Sequence, residues 1–333
     1  MRLATNARTI DSPAESRSRM SFSSSIRSLS TRLVLSTAKL LFSGGLIGYL
    51  LYRYGPSYAR LERIDPGFCA IAVAIVVLQV ALNTVRWRLI LTQIAGANAS
   101  FRCVFGIYYA STFFSQFLPS VGGDLVRVLY RRTLGSSLGL IIISVLLDRG
   151  LAIASLLFVA LVSLLFLAPF DPAHTTFRRV GLLAGGGLAG AYGGCLMVSA
   201  MRRSQMWTRL PQSIQTLAAS VVWSLTSRTG LCRLMPLSAL VHLLSVVVIY
   251  FAAHAVHVPL TLSVVFATGP VLLLAQVLPI SVGGWGVREA AAVVLLGMTA
   301  VDPTSAILAS IMFGALIVLA TLPGALFWLV LRE

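Results

Sequence analysis

The sequence predicts an all-α integral membrane protein, with about six transmembrane helices and two re-entrant hairpins arranged as an inverted repeat of two halves. Three observations carry that prediction. The 333 residues are 57% hydrophobic and 11% charged, with a mean hydropathy of +0.90, whereas soluble domains carry roughly 25% charged residues. Runs such as Leu138–Leu147, Leu151–Ala168 and Val241–Phe251 are apolar around the whole helical circumference, which leaves no face for water. Two further apolar stretches are each cut by a Pro-Gly-Gly cluster, a break tolerated at membrane depth only where it is buried in protein or lines a cavity.

In chain order, residues 1–32 are rich in Ser and Arg and poor in large apolar residues, and they read as a disordered basic tail. The first apolar run begins near Leu33 and no small-x-small cleavage site follows it, which argues against a secretory signal. Six segments are long enough to cross a hydrocarbon core of about 30 Å: Leu33–Leu51, Gly67–Leu91, Leu138–Leu167, Gly181–Ala200, Leu234–Ala253 and Thr304–Leu331. Gly186, Gly190 and Gly194 in the fourth form a small-residue face suited to close helix packing. Val104–Leu118 and Leu260–Leu278 are the two interrupted stretches. One transmembrane domain over 33–331 results, with halves at 33–167 and 181–331.

The breaks read Leu118-Pro119-Ser120-Val121-Gly122-Gly123-Asp124-Leu125-Val126-Arg127 and Leu278-Pro279-Ile280-Ser281-Val282-Gly283-Gly284-Trp285-Gly286-Val287-Arg288. They share Ser-Val-Gly-Gly and, at the same offset of 161 residues, Val-Arg. In inverted-repeat transporters such broken helices meet near the midplane around the substrate, so the two turns are expected to face each other.

The formal charge is +16; beyond the basic tail and the charges within apolar segments, the positive charge lies in short loops between apolar runs. That pattern points to topology and lipid contact, not to nucleic acid. Residues 201–233 hold Arg202, Arg203, Arg209, Arg228 and Arg233 and no acid, while 254–260 hold no Arg, Lys or acid; the former is expected on the cytoplasmic side. Alternation then places both termini in the cytoplasm. The first hairpin enters from there, beside Arg102, Arg131 and Arg132, and the second from outside. The same alternation leaves Arg178 and Arg179 in an outside loop at 168–180. The four cysteines stand apart, and His254 and His257 have no carboxylate nearby, so no disulfide, metal or cofactor site is expected. P-loop, dinucleotide-binding, zinc-protease and nucleophile-elbow motifs are missing.

Eight charged residues fall inside or beside apolar segments: Arg86, Arg88, Asp124, Arg127, Asp148, Arg149, Arg288 and Glu289. A charge at the centre of a span costs at least about 2.5 kcal/mol on insertion scales, so such groups face a bundle interior and find partners. Neighbours on a helix point about 100° apart, so Asp148–Arg149 and Arg288–Glu289 are expected to pair with other segments, whereas Asp124 and Arg127 can pair locally at i, i+3. Two readings stand side by side. In one, Asp124, Asp148 and Glu289 neutralise Arg127, Arg149 and Arg288 in a closed network that fixes the fold. In the other, Arg127 and Arg288 and the helix N-termini after the two turns, with Ser120, Gly122, Gly123, Ser281, Gly283 and Gly284, hold a phosphate-type anion, and Asp124, Asp148, Arg149 and Glu289 balance charge or carry a coupling proton. Arg86 and Arg88 flank Trp87 and suit either that site or snorkelling beside an interfacial Trp.

The order Val85-Arg86-Trp87-Arg88, Phe113 to Asp124 with Val126-Arg127, Asp148-Arg149, Leu278-Pro279, Gly283-Gly284 and Gly286-Val287-Arg288-Glu289 resembles the lysylphosphatidylglycerol synthase transmembrane-region family, also called flippase-like. The likeness spans about residues 33–331. In the multiple peptide resistance factor, a similar domain is implicated in flipping aminoacylated phosphatidylglycerol, while a separate soluble domain performs aminoacyl transfer. The resemblance therefore implies a plasma-membrane lipid translocase acting on an anionic or phosphate-bearing lipid. With no soluble transferase domain in the sequence, enzymatic activity is not expected. The alternatives are an accessory subunit bound to a lipid-modifying enzyme and an intramembrane lipid transferase.

Overall fold

The computed structural model describes residues 37, 39, 41–54, 63–118, 122–167, 175–277 and 281–331. Among them there are helices and turns but no strand. Residues 1–32, with Pro119, Ser120 and Val121 of the first break and Leu278, Pro279 and Ile280 of the second, lie outside the described residues.

In chain order the helices are α1 (41–54), α2 (Pro66–Ala95), α3 (Phe101–Phe117), α4 (Gly122–Leu129), α5 (Leu138–Leu167), α6 (Thr175–Met201), α7 (Gln205–Arg209), α8 (Gln212–Thr226), α9 (Met235–Ala255), α10 (Leu262–Val277), α11 (Val287–Gly297), α12 (Pro303–Thr321) and α13 (Pro323–Val330). A single π-turn, Gly230–Leu234, leads into α9. Local chemistry sets several boundaries. Asp65 caps α2 by accepting from the Gly67 and Phe68 N–H groups, with Pro66 at the first helical position, and Gly96 ends the helix at φ 59°. Asp302 and Pro303 start α12 in the same way.

Five stretches are long and apolar enough to cross a membrane: Pro66–Ala95, Leu138–Leu164, Gly181–Met201, Gly230–Ala255 and Pro303–Val330. They correspond to five of the six expected spans, and the chain is a multi-pass membrane protein. The remaining expected span, Leu33–Leu51, is described only in part, within α1. One loop expectation fails: α6 begins at Thr175, so Arg178 and Arg179 belong to a helix and not to a loop ending at 180. The glycine face on α6 also differs from expectation, because Gly186, Gly190 and Gly194 have nothing within 4 Å of a Cβ position. No described helix packs into it.

The bundle has two ends. The Asp65 N–H donates to the Ala255 carbonyl (2.9 Å), so α2 and α9, which pack along each other, run antiparallel. Ala97, Val104 and Leu134 share one cluster, with Leu331 packed against it. The chain therefore leaves α4 at the end from which it entered α3. Val258 and Leu260 share another cluster, with Met298 and Val301 packed against it, so α10 starts and α11 finishes at the opposite end. The loops at the first end carry Arg131, Arg132, Arg202, Arg203 and Arg228 without any acid.

Candidate functional site

Gly122 and Gly123 open α4, and they let it fold back tightly on α3. A Cβ on Gly123 would overlap the Ser115 Oγ and lie 2.5 Å from the Ser111 carbonyl, so only glycine permits this approach. The hydroxyl of Ser111 in turn donates to the Gly123 carbonyl (2.8 Å). The second turn passes through Gly283 and Gly284 at φ 58° and 82°, conformations that favour glycine. A Cβ on Gly283 would stand 3.0 Å from the Gln116 carbonyl in the last turn of α3. The two interrupted segments thus meet inside the bundle. Beside the second turn, the Ser281 Oγ and Gln276 Nε2 are buried without a hydrogen-bond partner among the described residues.

Folding α4 against α5 assembles the first charge cluster. Asp148, about 15 Å along α5 from Leu138, is 1% exposed. Its Oδ1 accepts from Arg86 Nε and its Oδ2 from Arg127 Nη1, both at 2.8 Å. Arg127 is also held by the Ser111 hydroxyl (3.2 Å) and lies over the rings of Tyr108 and Trp87, 4.0 and 5.0 Å from their centroids. Asp124 pairs across helices with Arg149 Nε at 2.8 Å, and its i, i+3 approach to Arg127 is the looser 3.8 Å. The local pair expected from spacing is therefore the weaker one, because α5 presents closer partners of the opposite charge.

Two other expectations are corrected here. Arg86 does not snorkel: it is 3% exposed and spans from Asp148 to the Ser238 hydroxyl. Trp87 is not interfacial but fully buried, donating to Ser144 Oγ. The helix turns both residues into the bundle, and only Arg88 stays exposed, bonded to the Ala99 carbonyl. With Arg86 included, four embedded arginines face three acids, so the balanced set of three against three does not hold.

The second cluster is separate. Arg288 and Glu289, expected to find partners elsewhere, pair with each other through Nη2–Oε1 (2.6 Å) and Nε–Oε1 (2.9 Å). Glu289 curls back over the start of α11, where its Oε2 accepts the Gly286 N–H (2.6 Å), and this brings its carboxylate within reach of the neighbouring guanidinium. Ser310 on α12 bonds both partners. Trp285 and Phe313 cover the guanidinium, and Gly314 makes room for it, since a Cβ there would overlap the terminal nitrogens. Arg288 and Glu289 are 1% and 0% exposed. The N-terminus of α11, expected to be free for an anion, is occupied by Glu289.

A cavity of about 290 Å³ lies at mid-depth between α2, α3, α5, α9 and α12. Arg86, Arg127, Asp148 and Arg149 line it, and Arg288 and Glu289 do not. Counting Asp124 beside it, three arginines meet two aspartates, leaving one formal positive charge in excess. Arg149 is the outlier: its side chain is 49% exposed, only its Nε is engaged, and neither terminal nitrogen makes a hydrogen bond among the described residues. Residues that sequence reasoning passed over also line this space, including Tyr108, Gln79 and His242.

A multi-pass helical bundle with a charged cavity at mid-depth defines an integral membrane protein with a polar internal site. The chain belongs to the family described as the lysylphosphatidylglycerol synthase TM region, whose model matches residues 36–324. No curated protein matches the chain.

Proposed function

We propose that this protein is a plasma-membrane lipid translocase, whose central cavity receives the headgroup of an anionic or phosphate-bearing lipid as it passes between leaflets. The observation that carries this reading is Arg149. It reaches the cavity half exposed, with the forked end of its guanidinium unused, and that fork matches phosphate oxygens in a bidentate geometry. Arg86 and Arg127, anchored on Asp148, supply the surrounding positive field. Gly122 and Gly123 set the α3–α4 approach, and Gly283 and Gly284 bring the second turn against it. Family membership supports a lipid-related role, because the family's descriptive name concerns a phospholipid.

The same reading treats the two interrupted segments as re-entrant hairpins of an inverted repeat, entering from opposite faces of the bilayer. Supporting it, α3–α4 returns to the Arg-rich end and α10–α11 to the other. The excess of arginine at one end favours a cytoplasmic placement for that end and for both termini.

Translocation of a fluorescent phosphatidylglycerol in proteoliposomes tests the proposal. The wild type should accelerate exchange well above protein-free vesicles, and Arg149→Ala should return it close to that baseline with the fold intact. Equal rates for wild type and protein-free vesicles would refute the transport reading.

A further inference from the structure

Among the neutral polar groups lining the cavity, four hydroxyls, Gln79 and His242 have their hydrogens already spent, whereas the Asn83 amide, the Tyr108 hydroxyl and one Gln116 N–H are uncommitted among the described residues. Thr112 Oγ1 donates to the Tyr108 carbonyl (2.9 Å), Ser115 Oγ to the Ser111 carbonyl (2.9 Å), Ser245 Oγ to the Val241 carbonyl (3.1 Å) and Thr321 Oγ1 to the Ile317 carbonyl (2.9 Å). A hydroxyl whose one hydrogen is committed has only lone pairs left to offer. Gln79 behaves alike. Its Nε2 donates to the Val241 carbonyl (2.8 Å) and the Ser245 hydroxyl (2.7 Å), so both amide hydrogens are used and its carbonyl oxygen has no partner among the described residues.

His242 completes the set. Its Nε2 stands 2.9 Å from the Ala152 carbonyl, and a carbonyl accepts only, so Nε2 carries the hydrogen. Three arginines line the same cavity, and a further positive charge would be repelled by them. In the neutral ring that follows, Nδ1 is a bare acceptor with no partner among the described residues.

The cavity therefore presents two kinds of group: Arg149 and Arg127, from α5 and α4, bring positive charge and donors, while Gln79, His242, Ser245 and Thr112 bring lone pairs. Resting on the lipid reading above, we infer that His242 and Gln79 select headgroups that carry hydrogen-bond donors, hydroxyl or ammonium, beyond the phosphate. A bare phosphodiester would satisfy the arginines and leave the buried acceptors of Gln79 and His242 without a donor from the ligand. Unpaired buried polar groups are what make such sites reject analogues lacking the matching donor.

Phosphatidylglycerol and phosphatidylmethanol make a matched pair of probes, because both carry one negative charge and only the first has headgroup hydroxyls. Titration of the full-length protein in detergent, read by native mass spectrometry with matched acyl chains and phosphatidylcholine as reference, should give phosphatidylglycerol about tenfold tighter than phosphatidylmethanol, as expected when one or two net hydrogen bonds are lost. His242→Phe should bring that ratio to about one without weakening phosphatidylmethanol, and His242→Gln, which keeps both an N–H and an acceptor, should restore the preference. Thr112→Val, a near-isosteric change, should lower the ratio severalfold if His242→Phe does not fold. Equal affinity of the wild type for the two anionic lipids overturns the inference and leaves the phosphate reading standing. A preference that survives both His242→Phe and Thr112→Val also overturns it. Failure of both anionic lipids to bind above phosphatidylcholine would instead overturn the lipid-phosphate reading itself.

Discussion

In the first half of the molecule, three arginines from α2, α4 and α5 converge around Asp124 and Asp148 and reach a cavity, with Arg149 left half exposed. In the second half, Arg288 and Glu289 sit side by side, sealed under Trp285 and Phe313, and reach no cavity. Both clusters answer the requirement that a charge inside an apolar bundle be paired. The difference lies in what is left over. The second cluster is charge-balanced and its carboxylate is fully engaged, whereas the first retains one positive charge and a free guanidinium fork. The proposed headgroup site therefore rests on incomplete pairing at a cavity and not on charge burial alone.

The largest effect is expected at Asp148, which holds two arginines. Asp148→Ala leaves Arg86 without a carboxylate and Arg127 with only the looser Asp124 at 3.8 Å, and removal of one partner of a buried pair costs about 3–5 kcal/mol; a large fall in thermal unfolding temperature in detergent would show it. Glu289→Ala should cost a comparable amount, about 3 kcal/mol, because Arg288 and the Gly286 N–H lose their acceptor together. The two clusters separate when both partners are replaced. Arg288→Met with Glu289→Met should recover much of the Glu289→Ala loss, since no buried charge is stranded, while staying about 1–3 kcal/mol below wild type because the Gly286 N–H and the Ser310 hydroxyl lose their acceptor, and should leave translocation intact. Arg86, Arg127 and Asp148 replaced together by apolar residues should abolish translocation even where the protein still folds.

Gly314→Ala comes next. Its methyl would meet the Arg288 guanidinium, and overpacking of this kind costs about 1–3 kcal/mol. Thermal unfolding checks it, and the loss should largely vanish in the Arg288→Met/Glu289→Met background. Arg149→Ala is expected to cost about 1–3 kcal/mol, because the exposed guanidinium itself contributes little but the buried Asp124 loses its 2.8 Å partner, and its effect on translocation should be large.

The membrane class, five of the spans and the identity of the embedded charges were legible in the sequence, because long apolar runs and isolated charges are one-dimensional signals. Partner choice was not. Neighbouring positions on a helix argue against Arg288–Glu289 pairing, but two long side chains bent back over a helix start overcome that separation. Trp87 between two arginines looks interfacial until the helix phase is known; α2 turns Arg86 and Trp87 inward and Arg88 outward. Gly314, Ser310 and Tyr108 carry no motif, since their roles come from which helix lies opposite. His242 did leave a signal, as a lone ionisable residue inside the apolar run from Val241 to Phe251, where such residues are rare and tend to line polar paths.

The most direct test compares the open and the closed cluster in one assay. Rates of phosphatidylglycerol translocation are measured in proteoliposomes for Arg149→Ala and for Arg288→Met/Glu289→Met, each at equal protein density and with unfolding temperatures recorded. The expected result is a rate near that of protein-free vesicles for Arg149→Ala and a rate near wild type for the double replacement. Loss of transport in the double replacement with Arg149→Ala unaffected would contradict the assignment of the headgroup site to the first half.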